Sequence, residues 1–563
     1  METSQRKTSP SRPALVVIAG VWVLGALVFA WLLASVFPVS FREDDAGYLA
    51  WAAQASSPMA AWDLQGGILF GMFRPVVNLW WYGLYLIAGL ETFYYHFTLG
   101  VVYALMLGAF VFAGSAIHGK RTGFLALLLW LGVFYFLQYV LFWFSGYVYL
   151  LETAFLAAAA GFAALSVRRT DWALPGVVGF HVLAVLTKEP AGLILPGIYL
   201  GLVLAFPSCW KNRRVLVTLI SVGAVGMAWV LLKPGLEGRL GILTALQNGE
   251  ALDFLWTRWS FYAGYLAGGT GKLLWFGFAV GLVRAWAPAG YRKRDALAAL
   301  AGALFLAITW NPPVALIALL GVSAMWAFKD RQVLPGLAWF WAPIFAVLLI
   351  HFQTRTYLFE SSFGVSLVLA YALTPWISQA FALTRRCPLR LTIPGAAILC
   401  VIAGVGGWVA VSPKYDALRK VTSVRGNFSQ LFKETTVAAK ETPLIIVPDY
   451  ADTGLDYETQ VLRASDQIKA ELQKPMRPGD LRTLFGILNP RLIVLALGQE
   501  LPSNQKALML LMTTHEVRWW EKLQAEGSIP SIALKEWNRD GQQAALILLQ
   551  DASSIRKSSV QKH

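Results

Sequence analysis

The chain is 563 residues long, 57% hydrophobic and only 14% charged, with a net charge of +15. A soluble domain carries about 25% charged residues, so this composition excludes a string of ordinary soluble domains and points to a membrane protein. The cysteines Cys209, Cys387 and Cys400 offer no disulfide framework, and none follows Cys400.

The first apolar run, 14–37, follows Arg6, Lys7 and Arg12. It is longer than the 7–15 residues or so of a signal-peptide core, and it reads as an uncleaved first span. Directly after it comes Phe41-Arg42-Glu43-Asp44-Asp45-Ala46-Gly47-Tyr48. Three adjacent carboxylates repel one another and are costly in hydrocarbon, so they are expected at the membrane rim, within reach of water, a cation or a substrate. One such carboxylate can take a proton from an attacking hydroxyl, and a second can orient it or hold a divalent cation. The plainer alternative is that Glu43 caps a loop helix beginning here and all three are solvated.

Apolar stretches predict further spans at 94–117, 123–141, 148–167, 173–187, 191–208, 215–232, 264–283, 296–310, 314–328, 333–350, 361–383 and 391–411, thirteen in all. Within 173–208, Thr187-Lys188-Glu189-Pro190 is expected to form the turn, because Pro190 breaks a helix and two charges do not rest in lipid. With the N-terminus cytoplasmic, nineteen Lys and Arg fall in the inner loops and seven in the outer ones, and this bias sets the topology. The positive charge is therefore a topology signal, and no nucleic-acid partner is expected.

On the outer face stand Lys188 with Glu189, Arg239, Arg258 and Arg355. A fixed cation in a site that partly excludes water suits an anionic substrate, although snorkelling to the interface explains such residues equally simply. Arg355 lies in His351-Phe352-Gln353-Thr354-Arg355-Thr356-Tyr357, a candidate phosphate or sugar subsite. Aromatics crowd the outer ends, among them Trp80, Trp81, Tyr95 and Tyr147. An aromatic belt accounts for most of them, and ring stacking on a sugar is compatible with the rest. There is no P-loop spacing and no Cys or His metal spacing.

Two outer segments are large: the loop 38–92, and 412–563 beyond the last span. The second carries 20 Lys and Arg against 17 Asp and Glu, and reads as a small α/β domain. Its apolar runs Leu444–Val447, Arg491–Leu497 and Ala545–Leu549 read as buried strands, and the patterns 456–473 and 503–525 as helices. The fold class expected is thus a polytopic α-helical membrane module over 1–411, followed by an extracytoplasmic α/β domain over 412–563.

Three segments together resemble the GT-C glycosyltransferases, in particular the glycosyltransferase 39 group with its protein O-mannosyltransferases and aminoarabinose transferase. They are Asp44-Asp45-Ala46-Gly47-Tyr48, Phe73-Arg74-Pro75-Val76-Val77-Asn78-Leu79 and Thr187-Lys188-Glu189-Pro190-Ala191-Gly192. The likeness covers roughly 38–200; beyond 210 it rests on topology alone. It implies a bacterial inner-membrane enzyme that takes a sugar from a polyprenyl-phosphate donor and passes it, with inversion, to a hydroxyl of a lipid, glycan or protein. Asp44 would be the base and Asp45 its orienting or metal-holding partner, with Glu43 a third candidate. Lys188 and Arg355 would hold the leaving phosphate, and Arg74, Glu189, Tyr48 and Tyr357 would line the substrate. A divalent cation is possible, though nothing in the sequence requires one. Two other readings compete: a transporter or lipid-linked sugar flippase, which would place charges in mid-membrane, and a scaffold whose outer domain binds a partner.

Overall fold

The computed structural model describes residues 12–36, 41, 44–63, 74–133, 140–141, 143–168, 173–232, 241–267, 271–286, 312–349, 358–386, 430–432, 434–448, 481, 485, 492–496, 502–527, 529–539 and 541–553. The chain is mainly helical up to residue 386. The helices are α1 (Arg12–Val36), α2 (Asp44–Gln54), α3 (Pro58–Asp63), α4 (Pro75–Ala88), α5 (Thr92–His118), α6 (Lys120–Val133), α7 (Tyr147–Val167), α8 (Ala173–Thr187) and α9 (Ala191–Ala205). They continue with α10 (Arg213–Leu232), α11 (Gly241–Gln247), α12 (Ala251–Ala267), α13 (Gly271–Trp286), α14 (Pro312–Lys329), α15 (Leu334–Leu348) and α16 (Phe359–Arg386).

Among the described residues, four helical stretches are long and apolar enough to cross a membrane: Thr92–His118, Phe144–Val167, Pro312–Lys329 and Arg331–Leu348. Shorter apolar helices run over Val23–Ser35, Ala173–Thr187, Ala191–Ala205 and Gly277–Trp286. The expected spans 296–310 and 391–411 lie outside the described residues. Within the expected span 264–283, α12 reaches Ala267 and α13 begins at Gly271, and residues 268–270 lie outside the described residues. The loop 38–92 contains three helices of its own, α2 to α4.

Small residues let these helices approach closely, as membrane bundles require. A Cβ on Gly100 of α5 would stand 2.8 Å from the Ala30 Cα of α1, and one on Gly226 of α10 would meet the Gly192 carbonyl oxygen of α9 at 2.0 Å. Polar contacts also tie the helices and their connections together. His96 Nε2 lies 2.9 Å from the Leu141 carbonyl, and Ile242 N–H donates to Leu349 O at 3.3 Å. Arg168 donates to Ile117 O at 2.8 Å and the Tyr371 hydroxyl to Asp330 at 2.8 Å.

The C-terminal region forms a five-stranded sheet of order β2-β1-β3-β5-β4. Its strands are β1 (Leu444–Val447), β2 (Ile493–Ala496), β3 (Ala507–Leu511), β4 (Ser531–Arg539) and β5 (Gln542–Leu549). β1 pairs in parallel with β2 and β3, while β3–β5 and β5–β4 are antiparallel. The segment expected to be one helix over 503–525 is a strand and then a helix, α17 (Thr514–Ala525). Ala507–Leu511 is buried throughout, a short apolar run whose periodicity does not separate strand from helix. Thr513 stops it with a capping box: its side chain accepts from Glu516 N–H, and Glu516 accepts from Thr513 N–H. The expected helix 456–473 lies outside the described residues.

Candidate functional site

The acidic segment is fixed by what lies under α2. Phe41 packs edge-on against Tyr95 at 5.1 Å, and Tyr48 stacks on Trp81 at 5.3 Å with an interplanar angle of 8°. Trp81 in turn meets Tyr147 edge-on at 6.0 Å. Tyr147 donates to the Tyr95 carbonyl. These rings are buried, so the start of α2 stands on a packed aromatic floor.

Asp45 has no exposure. Its Oδ1 accepts from both Ser145 N–H, at 2.7 Å, and Ser145 Oγ, at 2.5 Å. Ser145 lies in the single 3-10 turn Phe144–Gly146 that leads into α7. A side chain on Gly146 would stand 2.5 Å from the Val140 carbonyl oxygen, so only glycine lets this turn close. Two charge-assisted hydrogen bonds satisfy a carboxylate that burial would otherwise penalise. In this arrangement Asp45 ties the start of α2 to the turn before α7. Among the described residues no group of three or more His, Cys, Asp or Glu is placed to hold a metal ion. The Asp44 side chain and all of Glu43, Arg355 and Tyr357 lie outside what is described.

One turn beyond Asp45, the Tyr48 hydroxyl accepts from Arg74 Nη1 at 3.5 Å. Arg74 stands immediately before α4, with Pro75 in the first helical position. Its Nη2 donates to Glu189 Oε2 at 3.1 Å. Burial works against the Arg74 charge, but Glu189 and then Tyr48 more than offset it, and the guanidinium pKa is raised above the ordinary arginine value.

Glu189 belongs to the tight turn between α8 and α9. Lys188 N–H donates to Ala184 O at 2.9 Å, Gly192 N–H donates to Glu189 O at 3.1 Å, and Pro190 caps α9. The Lys188 side chain is fully buried. Its Nζ donates to Glu360 Oε1 at 2.5 Å, stands 3.1 Å from Glu152 Oε2, and sits 4.0 Å from the centre of the Tyr149 ring. Glu152 and Glu360 are themselves buried.

The structure thus holds Asp45 on Ser145, joins Tyr48, Arg74 and Glu189 through hydrogen bonds, and places Lys188, next to Glu189 in the chain, in a buried ion cluster. Glu152 and Glu360 are its partners in that cluster, and the sequence reasoning missed both. Glu152 falls inside the expected span 148–167, in the second turn of α7. The signal available was a lone carboxylate inside an apolar helix, which in a membrane protein needs a partner.

No protein-family model matches the chain, and no curated protein matches it. Among solved structures it is similar to ArnT from Cupriavidus metallidurans bound to undecaprenyl phosphate, at 16% identity over 95% of this chain and 98% of that one, with a TM-score of 0.38. The apo state of that protein gives 14% identity over 96% and 99%, with a TM-score of 0.39. The archaeal oligosaccharyltransferase AglB from Archaeoglobus fulgidus, in complex with an inhibitory peptide and a dolichol-phosphate, gives 11% identity over 93% of this chain and 74% of that one, with a TM-score of 0.41.

Proposed function

We propose that this chain is a membrane-embedded, inverting glycosyltransferase that passes a sugar from a polyprenyl-phosphate carrier to a hydroxyl acceptor at the extracytoplasmic membrane rim. The observation that supports it is Arg74, which bonds both Tyr48 and Glu189 and so joins the three segments whose sequence resembles that enzyme group. In the reaction the acceptor oxygen attacks the first carbon of the sugar, the bond to the phosphate oxygen breaks, and the acceptor proton passes to Asp44. Asp45, held by Ser145, keeps the acidic segment in place. Arg74, Lys188 and Arg355 are the cations assigned to the phosphate, where charge grows as the bond breaks. Residues 1–411 form the catalytic module, and 412–563 an outer domain that covers the site or presents the acceptor.

A second reading, translocation of a lipid-linked sugar, draws on the buried charges Glu152, Lys188 and Glu360, since transporters use intramembrane ionisable groups. One experiment separates the two: mass spectrometry of envelope glycolipids and glycans from cells with the wild-type protein, with Asp44→Asn and with none. The transferase reading expects a sugar adduct that is lost in Asp44→Asn while the variant still inserts into the membrane. Wild-type levels of the adduct in that variant would refute the base assignment, and absence of any adduct would favour translocation.

A further inference from the structure

Glu152 on α7 and Glu360 on α16 approach the same ammonium, Lys188 Nζ, at 3.1 and 2.5 Å, and all three side chains are buried. Two ionised carboxylates against one lysine would leave a net negative charge in the bundle, with like charges only a few ångströms apart. Among the described residues, the neighbouring groups named by the contacts do not cancel it. Tyr149 presents its ring to Nζ, and the neighbouring Arg74 and Glu189 neutralise each other. The two acids are also unequal. Glu360 accepts a close hydrogen bond from Lys188 at 2.5 Å, whereas Glu152 has only the looser approach of the same ammonium, at 3.1 Å and without hydrogen-bond geometry. The fully buried carboxylate that is less well served by donors is the costlier anion of the pair.

We infer that Glu152 is a proton-binding site: it holds a proton as a neutral carboxylic acid, Glu360 is the ionised partner of Lys188, and the trio is electrically neutral. The proton site stands on this geometry alone. Its consequence rests on the transferase reading: a neutral trio does not repel the donor phosphate, so Glu152 and Glu360 are positioning residues for Lys188.

Infrared hydrogen–deuterium difference spectroscopy on the purified full-length protein in lipid nanodiscs tests the site. The wild type is expected to show the C=O stretch of a buried protonated carboxyl. That band should vanish in Glu152→Gln, which copies the neutral acid, and in Glu360→Gln, where Glu152 becomes the ionised partner. A wild-type spectrum without the band, or a band that survives Glu152→Gln, overturns the inference. With a polyprenyl-phosphate sugar, the donor KM should rise with pH as the band disappears in the wild type and stay flat in Glu152→Gln. A pH-independent wild-type KM beside an intact band response would remove the link to phosphate and leave the proton site standing. A protein that transfers no sugar still yields the infrared answer.

Discussion

Replacing Asp45 by alanine and by asparagine separates anchoring from charge. Asp45→Ala removes the oxygen that accepts from both Ser145 N–H and Ser145 Oγ, at 2.7 and 2.5 Å. Ser145 is buried, so water does not readily replace the lost oxygen. An unsatisfied buried donor costs about 1–3 kcal/mol, and the hydroxyl can rotate to relieve part of its share, which gives a total near 3 kcal/mol for Asp45→Ala. Asp45→Asn keeps an oxygen in the same position and loses only the charge assistance, about 1 kcal/mol. Unfolding in mixed micelles of rising SDS fraction, followed by tryptophan fluorescence, measures both, since Trp143 directly precedes this turn and Trp80 and Trp81 meet the ring of Tyr147, which directly follows it. Equal losses in the two variants, or an Asp45→Ala protein as stable as the wild type, would show that the Ser145 contact does not hold α2.

Lys188→Met leaves Glu152 and Glu360 facing each other in the bundle and should cost about 3–5 kcal/mol at neutral pH. The triple variant with Glu152→Gln and Glu360→Gln should recover most of that in the same micelle titration. Gly226→Ala puts a methyl 2.0 Å from the Gly192 carbonyl oxygen, a backbone atom that cannot rotate away, so α9 and α10 must separate at a cost of about 1–3 kcal/mol. Gly223→Ala, with nothing within 4 Å of its added carbon, is the control and should be close to neutral.

Much of this architecture is legible in the sequence because its signals are local. The run Leu444–Val447 reads as a buried strand and is β1, and Pro190 marks the turn between α8 and α9 where it was expected. The missing pieces are of another kind. β3 escaped because five apolar residues carry no decisive periodicity. At the site, residue types and segments were readable, but their partners were not. Nothing local to Asp45 names Ser145, 100 residues away, and nothing local to Lys188 names Glu360, 172 residues away. Such pairings are set by how helices pack, and the chain's one-dimensional pattern does not encode that directly.

The Lys188 trio also bears on biogenesis. Its members enter the bilayer in the order 152, 188, 360, so a nascent chain that has emerged only through α9 can already form a balanced couple between Glu152 and Lys188. The arrival of α16 brings the third charge together with a hydrogen bond from Trp130 to Ser362, 2.7 Å long, and a Gly364 backbone pressed against Phe340. On the inferred neutral trio, insertion of the last described helix of the bundle would capture a proton, which would couple the closing step of assembly to the acidity of the compartment in which it takes place.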